Sequence, residues 1–436
     1  MKRFTLISLS LVPALLSAIS ITEVVQNTIE THPQIQIQKE SLKVNKERLT
    51  QVKAGYLPSV DLSYSVGPEV TKTPANHEEK ADMTRQDASI ALTQNIFAGL
   101  DTKYGMQEQE ALILSAGSNV EESANGLALE AATAYLDVLK TLSLYNIAKE
   151  NVKVHEKYLK QIKEKVDAGV ARNSDYVQTL SRFENARTSE YLAQQNHLIS
   201  VYSFERILPD VAVADLEEPS IGNLPAEGAD ALVEVAMANN PTIAISKNDI
   251  EAAKSAVGRA DAAYYPTADI VLEGYWNENV HGIAYNPVTN ENDVNLVNDQ
   301  GYSGMLVINY NIFNGLSDSA NKQISKHILL QQNSTLADSK LFVKANTKIA
   351  WTTYDMTKQQ LVYIDKNIEA SAQTVSDYRE ENELGRRSII DLLNIELEYN
   401  NAKNRKVNTK YDNLTAYYQI LSHTGKMLEE MNVIVK

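Results

Sequence analysis

The sequence predicts a mostly α-helical protein with four β-strands per chain. Long antiparallel helices form an α-barrel, and the strands form part of a membrane β-barrel to which several chains contribute. Three observations lead to this fold class. The chain of 436 residues is poor in helix breakers, with 17 Gly and 11 Pro. It contains one pattern twice. Each copy has two alternating stretches followed by a long heptad-like one, and four strands are too few to enclose a lumen.

Composition excludes several classes of protein. The formal net charge of -15 argues against a nucleic-acid-binding surface, and the absence of Cys excludes disulfides, thiolate metal sites and a cysteine nucleophile. The seven His show no metal-ligand spacing, and no phosphate-binding glycine loop or nucleophile elbow is present. We therefore expect neither an enzyme nor a bound cofactor or metal.

The N-terminus is typical of a secretory signal. Lys2 and Arg3 precede an apolar segment that is too short to span a membrane as a helix, and Ala18-Ile19-Ser20 suits signal cleavage. We expect residues 1–20 to be a signal peptide and the mature protein to be exported.

The chain then repeats itself. Residues 32–62 align without a gap to 240–270, so that Pro33 matches Pro241 at a spacing of 208 residues. Further along, the spacing is 216, and the difference of eight residues is assigned to an exposed loop tip, which is 277–301 in the second copy. The predicted segments are a first repeat, a linker, a second repeat and a C-terminal segment: 21–207, 208–235, 236–425 and 426–436.

Each repeat opens with a helix, which a proline ends before an alternating stretch. Val60, Leu62 and Tyr64 alternate with polar residues, as in a strand with one apolar face. We predict one hairpin per repeat, at 58–97 and 266–313. Aromatic residues near the strand ends resemble a membrane-interface girdle, and they equally suit packing in a soluble sheet.

Both hairpins end in one motif, QNIFAGLD at 94–101 and YNIFNGLSD at 310–318. We predict that this motif is the junction where a strand becomes a very long helix. Asn and Gly relieve the backbone there, and Phe anchors it. The junction residues are Asn95, Phe97, Gly99, Asn311, Phe313 and Gly315.

A long helix follows each junction, over 101–168 and 317–384, with Asp101 and Ser317 as the expected N-caps. No Pro interrupts these segments, and apolar residues recur in the first at steps of three, four or seven. Such a helix is about 100 Å long. A second, partial apolar stripe allows it to pack on two neighbours, as a closed cylinder of helices requires.

The chain then turns back into a shorter helix in each repeat, over 175–207 and 388–425. Gly169 and Gly385 are placed to end the long helices in the left-handed conformation. A Ser-x-x-Asp pattern at 388–391 is typical of a capping box at the start of the second returning helix.

These motifs together resemble the TolC family of outer-membrane channels. They are the signal, NIFAGL and NIFNGL, AATAYLDVLK, GVARNSDYVQ and GRRSIIDLLNIELEYNNAK. With the internal repeat, the resemblance covers essentially the whole mature chain. AGYLPSVDLSYSVG and EEKADMTRQDASIALTQNIFAGL are most similar to the type I secretion branch, which includes agglutination proteins.

The resemblance implies a homotrimer in the outer membrane, with a twelve-stranded barrel continuous with an α-helical tunnel through the periplasm. An equatorial collar would hold parts of 208–235 and the C-terminal residues. The implied partners are copies of this chain, outer-membrane lipid, a periplasmic adaptor protein and an inner-membrane transporter of the ABC or proton-driven type. No nucleic acid is expected.

The family closes its tunnel near the helical turns with hydrogen bonds and ion pairs. By position, the resemblance places candidates for this gate at Asp175, Arg387 and Asp391. Asn382 replaces an aromatic constriction residue of the family, and Asn394 replaces a second pore carboxylate. These two departures bear on how tight and how acidic the constriction is.

Simpler roles exist for the same residues. Asp175 and Asp391 stand in first helical turns, where the helix dipole favours a carboxylate without any gate. The arginines suit solvated turns as well as adaptor contacts. The candidate turn and adaptor-contact residues are Gly169, Arg172, Gly385 and Arg386.

The sequence therefore predicts a passive channel that carries substrates out through the periplasm and outer membrane as the exit duct of a type I secretion system. The first alternative is the outer-membrane component of a multidrug efflux pump. The second is a soluble periplasmic coiled-coil adaptor or structural protein, which accounts for the heptads but not for the two hairpins.

Overall fold

The computed structural model describes residues 19–72, 80–209, 216–286 and 291–434. The predicted signal segment lies outside the described residues up to residue 18. Two compact units are present. The helical unit comprises the described parts of Met1–Lys39, Ser118–Ala244 and Asp338–Lys436, and the sheet unit those of Glu40–Gly117 and Ile245–Ala337.

Helices dominate the described residues, and none of them combines the length and apolar composition needed to cross a bilayer. Short 3₁₀ turns, Ala54–Tyr56 and Asp261–Tyr264, precede the two hairpins. The α-helices are α1 (Ile21–Thr31), α2 (Pro33–Lys53), α3 (Asp101–Asp167), α4 (Asn173–Ile207), α5 (Ala229–Asn239), α6 (Pro241–Ala260), α7 (Ser317–Glu383), α8 (Ile389–His423) and α9 (Met427–Glu430).

The sheet unit contains one antiparallel four-stranded sheet in the order β1-β2-β3-β4. Among the described residues β1 and β4 are therefore its edge strands. The hairpins of the two repeats are joined by β2 and β3, in which Leu92 lies opposite Leu272. The strands are β1 (Ser59–Lys72), β2 (Lys80–Ala98), β3 (Thr267–Asn286) and β4 (Glu291–Asn309).

The register gives the sheet one apolar and one polar face, since residues directly opposite each other point to the same side. Leu62, Ile90, Gly274 and Tyr302 form one cross-strand row of the apolar face. That face is uncovered in the single chain, where Leu62 is 81% exposed. The other face is mostly polar, and it also includes the apolar residues Val271, Met305 and Val307. Its charged residues are mainly acidic and include Asp61, Arg85, Asp87, Asp269, Glu273 and Asp299.

The prediction of a loop over 277–301 is wrong. β3 continues to Asn286 and β4 begins at Glu291, with paired residues on both. The polar side chains of this segment concealed the strands, because backbone pairing between two neighbouring strands does not require an apolar face. A register shift between Asn277 and Val280 marks the place where the pairing is irregular.

The core of the helical unit joins α1, α2, α3, α4, α5, α7, α8 and α9. Both predicted stripes of the first long helix contribute to it, and Leu127 and Leu136 are almost fully buried. Tyr135 and Phe204 lie edge to face at its centre, with ring centroids 6.5 Å apart. A smaller apolar cluster lies near the helical turns and contains Tyr158, Ile162, Ile389, Leu392 and Leu393.

Three local features differ from the sequence-based expectations. Helix α1 was not predicted, although Ser20 and Glu23 form a complete capping box at its start. Asp101 and Ser317 are the first residues of their helices rather than N-caps. The carboxylate of Asp101 instead accepts a hydrogen bond from Arg259 at 3.1 Å.

The linker region between the repeats is tied to the helical unit. Leu216 forms a parallel bridge with Ile19, and the Tyr135 hydroxyl donates to the carbonyls of Ile19 and Glu217. Lys410 pairs with Glu218. Helix α5 then covers 229–239, a helix that the sequence analysis did not predict.

Candidate functional site

The first strand–helix junction is packed against its own chain. The side chain of Asn95 donates to Asp269 across the sheet at 2.8 Å. Gly99 has φ 62°, and a Cβ there would lie 2.4 Å from the carbonyl oxygen of Ala262. Only glycine fits both the conformation and the space. The next residue, Leu100, is also left-handed at φ 73°.

The second junction has the same backbone but lacks these contacts. Gly315 and Leu316 both have φ 70°, yet nothing lies within 4 Å of a Cβ built on Gly315. Phe313 is 75% exposed, whereas Phe97 is 36% exposed. Residues 311–314 are not strand, whereas their counterparts 95–98 belong to β2, and Asn95, Phe97 and Ala98 pair with β3.

The predicted roles within this motif need two corrections. Gly and the following Leu take the left-handed conformation, and Asn does not. The Asn side chains make hydrogen bonds instead, and Asn311 accepts one from the backbone N–H of Phe313 at 3.1 Å. Phe313 anchors nothing within the single chain, since three quarters of it is exposed.

The turn between α7 and α8, residues 384–388, is braced by hydrogen bonds and is called the second turn below. Gly385 is left-handed, and the Arg386 N–H donates to the carbonyl of Glu381 at 2.8 Å, as in a Schellman motif. The buried side chain of Asn382 donates to the carbonyl of Arg387 at 2.7 Å. The turn is therefore closed by both backbone and side-chain bonds.

Arg387 and Asp391 make separate contacts at the second turn. The Arg387 guanidinium pairs with Glu381 at 2.8 Å and lies over the ring of Tyr378, 4.0 Å from its centroid. The hydrogen bond with Glu381 raises the pKa of Arg387, which therefore keeps its charge. Asp391 accepts from the hydroxyl of the N-cap Ser388, whose oxygen accepts from the Asp391 N–H.

The turn between α3 and α4, residues 168–172, is the first turn and is less braced. Gly169 is left-handed and Val170 donates to the carbonyl of Lys165, but Arg172 caps α4 without a side-chain bond. Among the described residues no hydrogen bond or ion pair links Asp175 to Arg387 or Asp391. Asn394 lies elsewhere, accepting from Arg182 at 2.7 Å.

A buried cluster near the second turn was missed by the sequence analysis. Glu396 of α8 accepts on one carboxylate oxygen from the Tyr158 hydroxyl at 2.9 Å and from Arg379 at 2.6 Å. Arg379 also donates to the Tyr158 oxygen at 3.1 Å. The Glu396 side chain is only 3% exposed. A charged residue four positions beyond the buried Leu392 was the available signal, because it falls on the apolar stripe of α8.

Burial raises the pKa of Tyr158 to about 12. An unfolded tyrosine titrates near pH ~10, so folding favours the neutral phenol, and its contribution to stability is complete below that pH and lost as pH rises through about 12. We expect Tyr158→Phe to lose less stability than the wild type between pH 9 and pH 11.5. Urea unfolding midpoints at the two pH values measure this, and equal losses in both proteins would contradict it.

Comparisons with known proteins agree with this architecture. The family model of the outer membrane efflux protein matches residues 24–208 and 232–426. The outer membrane protein TolC of Escherichia coli is 21% identical over 97% of this chain and 86% of its own length. The alkaline protease secretion protein AprF of Pseudomonas aeruginosa is 19% identical over 92% of this chain and 83% of its own. The crystal structure of the Campylobacter jejuni CmeC outer membrane channel superposes with a TM-score of 0.78 at 14% identity, covering 93% of this chain and 86% of that one.

Long paired helices in one unit and a two-faced sheet in the other are the fold of the outer-membrane channel structure with which the chain superposes. The matching family is a class of channel proteins and not of enzymes. The chain belongs to the outer membrane efflux protein family, whose model covers both of its repeats. The resemblance to the TolC family is confirmed, and the outer membrane is the location of the protein.

Proposed function

We propose that three copies of this chain close one barrel and one helical tunnel, which together form the exit duct of a type I secretion system. The duct is passive. An inner-membrane transporter supplies the energy, and a periplasmic adaptor joins the transporter to the end of the duct formed by the first and second turns.

The observation that carries this proposal is the unequal environment of two nearly identical junctions. Asn95 and Gly99 contact Asp269 and Ala262 of the same chain, whereas Gly315 faces open space. By the repeat spacing, Asp61 corresponds to Asp269. A second copy with its β1 beside β4 would bring its Asp61 to Asn311, and the second junction would then make the contact that Asn95 makes with Asp269 in the first. The backbone groups of both edge strands would also be paired.

Two further observations support a duct. The apolar face of the sheet suits lipid, and its acidic face suits a water-filled lumen. For the choice of cargo, AprF is named for the secretion of a protease. The family description names efflux, which favours the alternative of a drug-efflux component.

Deleting the gene tests the assignment. For a secretion duct, we expect the deletion strain to lose proteins from the medium or cell surface while its susceptibility to antibiotics and detergents stays within about twofold of the parent. The reverse result would favour multidrug efflux. Membrane fractionation in the same strains distinguishes a heat-modifiable outer-membrane trimer from a soluble periplasmic protein, which osmotic shock would release.

The gate candidates give a separate prediction. Arg387→Ala removes the contacts with Glu381 and Tyr378, and Asp391→Ala removes a carboxylate from the same turn. We expect each variant to raise the single-channel conductance of the purified trimer in a planar bilayer. Arg386→Ala, which alters an exposed neighbour, is the control. Unchanged conductance in both gate variants would leave these residues with helix-capping and turn roles only.

A further inference from the structure

Near the second turn, α7 and α8 are tied to the first long helix by a cluster around the buried carboxylate of Glu396. Tyr158 lies on α3, Arg379 on α7 and Glu396 on α8, and the three side chains form a closed triangle of hydrogen bonds. Glu396 is almost wholly buried, and Ile389, Leu392 and Leu393 pack in the same region. A carboxylate in such a place is stable only with its partners, because removing one leaves a buried charge unpaired.

The repeat-related positions, all within the described part of the chain, do not offer the same three side chains. At the spacing of 216 residues, Leu180, Lys163 and Thr374 correspond to Glu396, Arg379 and Tyr158. These side chains cannot form a buried carboxylate–guanidinium–phenol triangle. The two helical hairpins therefore differ at this point, although their lengths agree. α3 and α7 have 67 residues each, and α4 and α8 have 35 each.

We propose that Glu396 is the positioning residue of the second turn: with Arg379 and Tyr158 it fixes α7 and α8 on α3, and this contact must break before the second turn can move. The inference rests on the proposed duct, in which the turns form the inner end. Asn382, Arg387 and Asp391 move with the second turn as one piece, because its own hydrogen bonds do not involve Glu396.

Because Glu396 lies on one of the two helices that the second turn joins, and on neither helix of the first turn, limited proteolysis at the two turns tests the proposal. Arg386 and Arg387 offer trypsin a cleavage site in the second turn, and Arg172 offers one in the first turn. We expect Glu396→Gln in the full-length trimer to increase cleavage at the second turn about 10-fold or more, since cleavage follows local opening. Cleavage at Arg172 should stay unchanged. Glu398→Gln, which makes the same charge change at an exposed position two residues on, should match the wild type at both sites.

Tyr158→Phe provides a second variant that keeps the ring in the apolar cluster and removes only the hydroxyl contacts. It should also increase cleavage at the second turn, by less than Glu396→Gln. If both variants are cleaved as slowly as the wild type, Glu396 does not position the turn. Equal increases at the first and second turns would overturn the proposal as well, because they would indicate general loosening.

Measurements of channel conductance distinguish a failure of the positioning role of Glu396 from a failure of the proposed duct, on which that role rests. In a planar bilayer we expect the wild-type trimer to conduct, and Glu396→Gln to conduct more or to open more often, while Glu398→Gln matches the wild type. A conducting wild type with an unaltered Glu396→Gln variant would overturn the positioning role and leave the duct intact. A wild-type protein that forms no channel at all would overturn both.

Discussion

Gly99→Ala is expected to destabilise the sheet unit by about 3 kcal/mol, because the change combines two penalties. Gly99 has φ 62°, a left-handed conformation that alanine adopts only with strain, and the new methyl group would lie 2.4 Å from the carbonyl oxygen of Ala262. Backbone on both sides must then shift. Urea unfolding of the detergent-solubilised chain measures the loss.

Gly315→Ala is the matched control, and it separates folding from assembly. Gly315 has φ 70° and no neighbour within 4 Å, so the single chain should lose only about 1 kcal/mol. In the proposed trimer the repeat places Ala54 of another copy where Ala262 lies in the first repeat. We therefore expect Gly315→Ala to reduce the yield of trimer in the outer membrane much more than the stability of the monomer. Equal effects of the two variants on monomer stability would contradict this interpretation.

Tyr135→Ala is expected to destabilise the helical unit by about 4 kcal/mol. Tyr135 is fully buried, its ring packs on Phe204, and its hydroxyl donates to two carbonyls, those of Ile19 and Glu217. The substitution leaves a cavity and two carbonyls without their donor. The midpoint of urea unfolding at neutral pH measures the loss.

Tyr135→Phe separates the contribution of the hydroxyl group from that of the packed ring. Phenylalanine keeps the ring and removes only the hydroxyl, so we expect a loss of about 1–2 kcal/mol. A larger proteolytic sensitivity near Glu217 should accompany it, because the linker region loses one of its ties to α3. If Tyr135→Phe were as unstable as Tyr135→Ala, the hydroxyl and not the packing would dominate at this position.

The fold was largely predictable because its main signals are long and repeated. The absence of Pro over 67 residues and the apolar stripes predict α3 and α7. Alternation predicts the central parts of all four strands. It fails where β3 and β4 continue through polar residues, because pairing of the backbone decides strand formation there. Helix α1 was not predicted although Ser20 and Glu23 form a capping box, because this pattern directly follows the apolar signal segment and overlaps its expected cleavage site.

The site was less predictable, and the reason is physical. Gly385 and Gly169 could be identified as turn residues, because glycine adopts the left-handed backbone conformation without the steric cost that a Cβ brings. The contacts of Arg387 depend on Glu381 and Tyr378, which only the folded turn brings close. The burial of Glu396 had a signal in the apolar stripe of α8, but no pattern in the sequence indicated that Tyr158, 238 residues away, would meet it. The gate roles of Asp175, Asn382, Arg387, Asp391 and Asn394 stay predictions.

The central claim is that identical copies of this chain close one sheet. In the first repeat Asn95 and Asp269 touch across β2 and β3. Their counterparts, Asp61 of β1 and Asn311 just beyond the end of β4, lie at opposite edges of the four-stranded sheet, about 14 Å apart across the strands by the usual strand spacing. They are also well separated along the strands, because the register places Asp61 level with Ser303. The chain has no Cys, so thiols introduced at these positions are its only ones.

The measurement is therefore oxidative cross-linking of the variant Asp61→Cys with Asn311→Cys in outer membranes, followed by a denaturing gel without reductant. We predict covalent trimers, because each β4 would lie beside the β1 of another copy. The matched variant Asn95→Cys with Asp269→Cys should form its disulfide within one chain and migrate as a monomer. If Asp61→Cys with Asn311→Cys also gave only monomers while the matched pair became oxidised, closure of the sheet by identical copies would be contradicted.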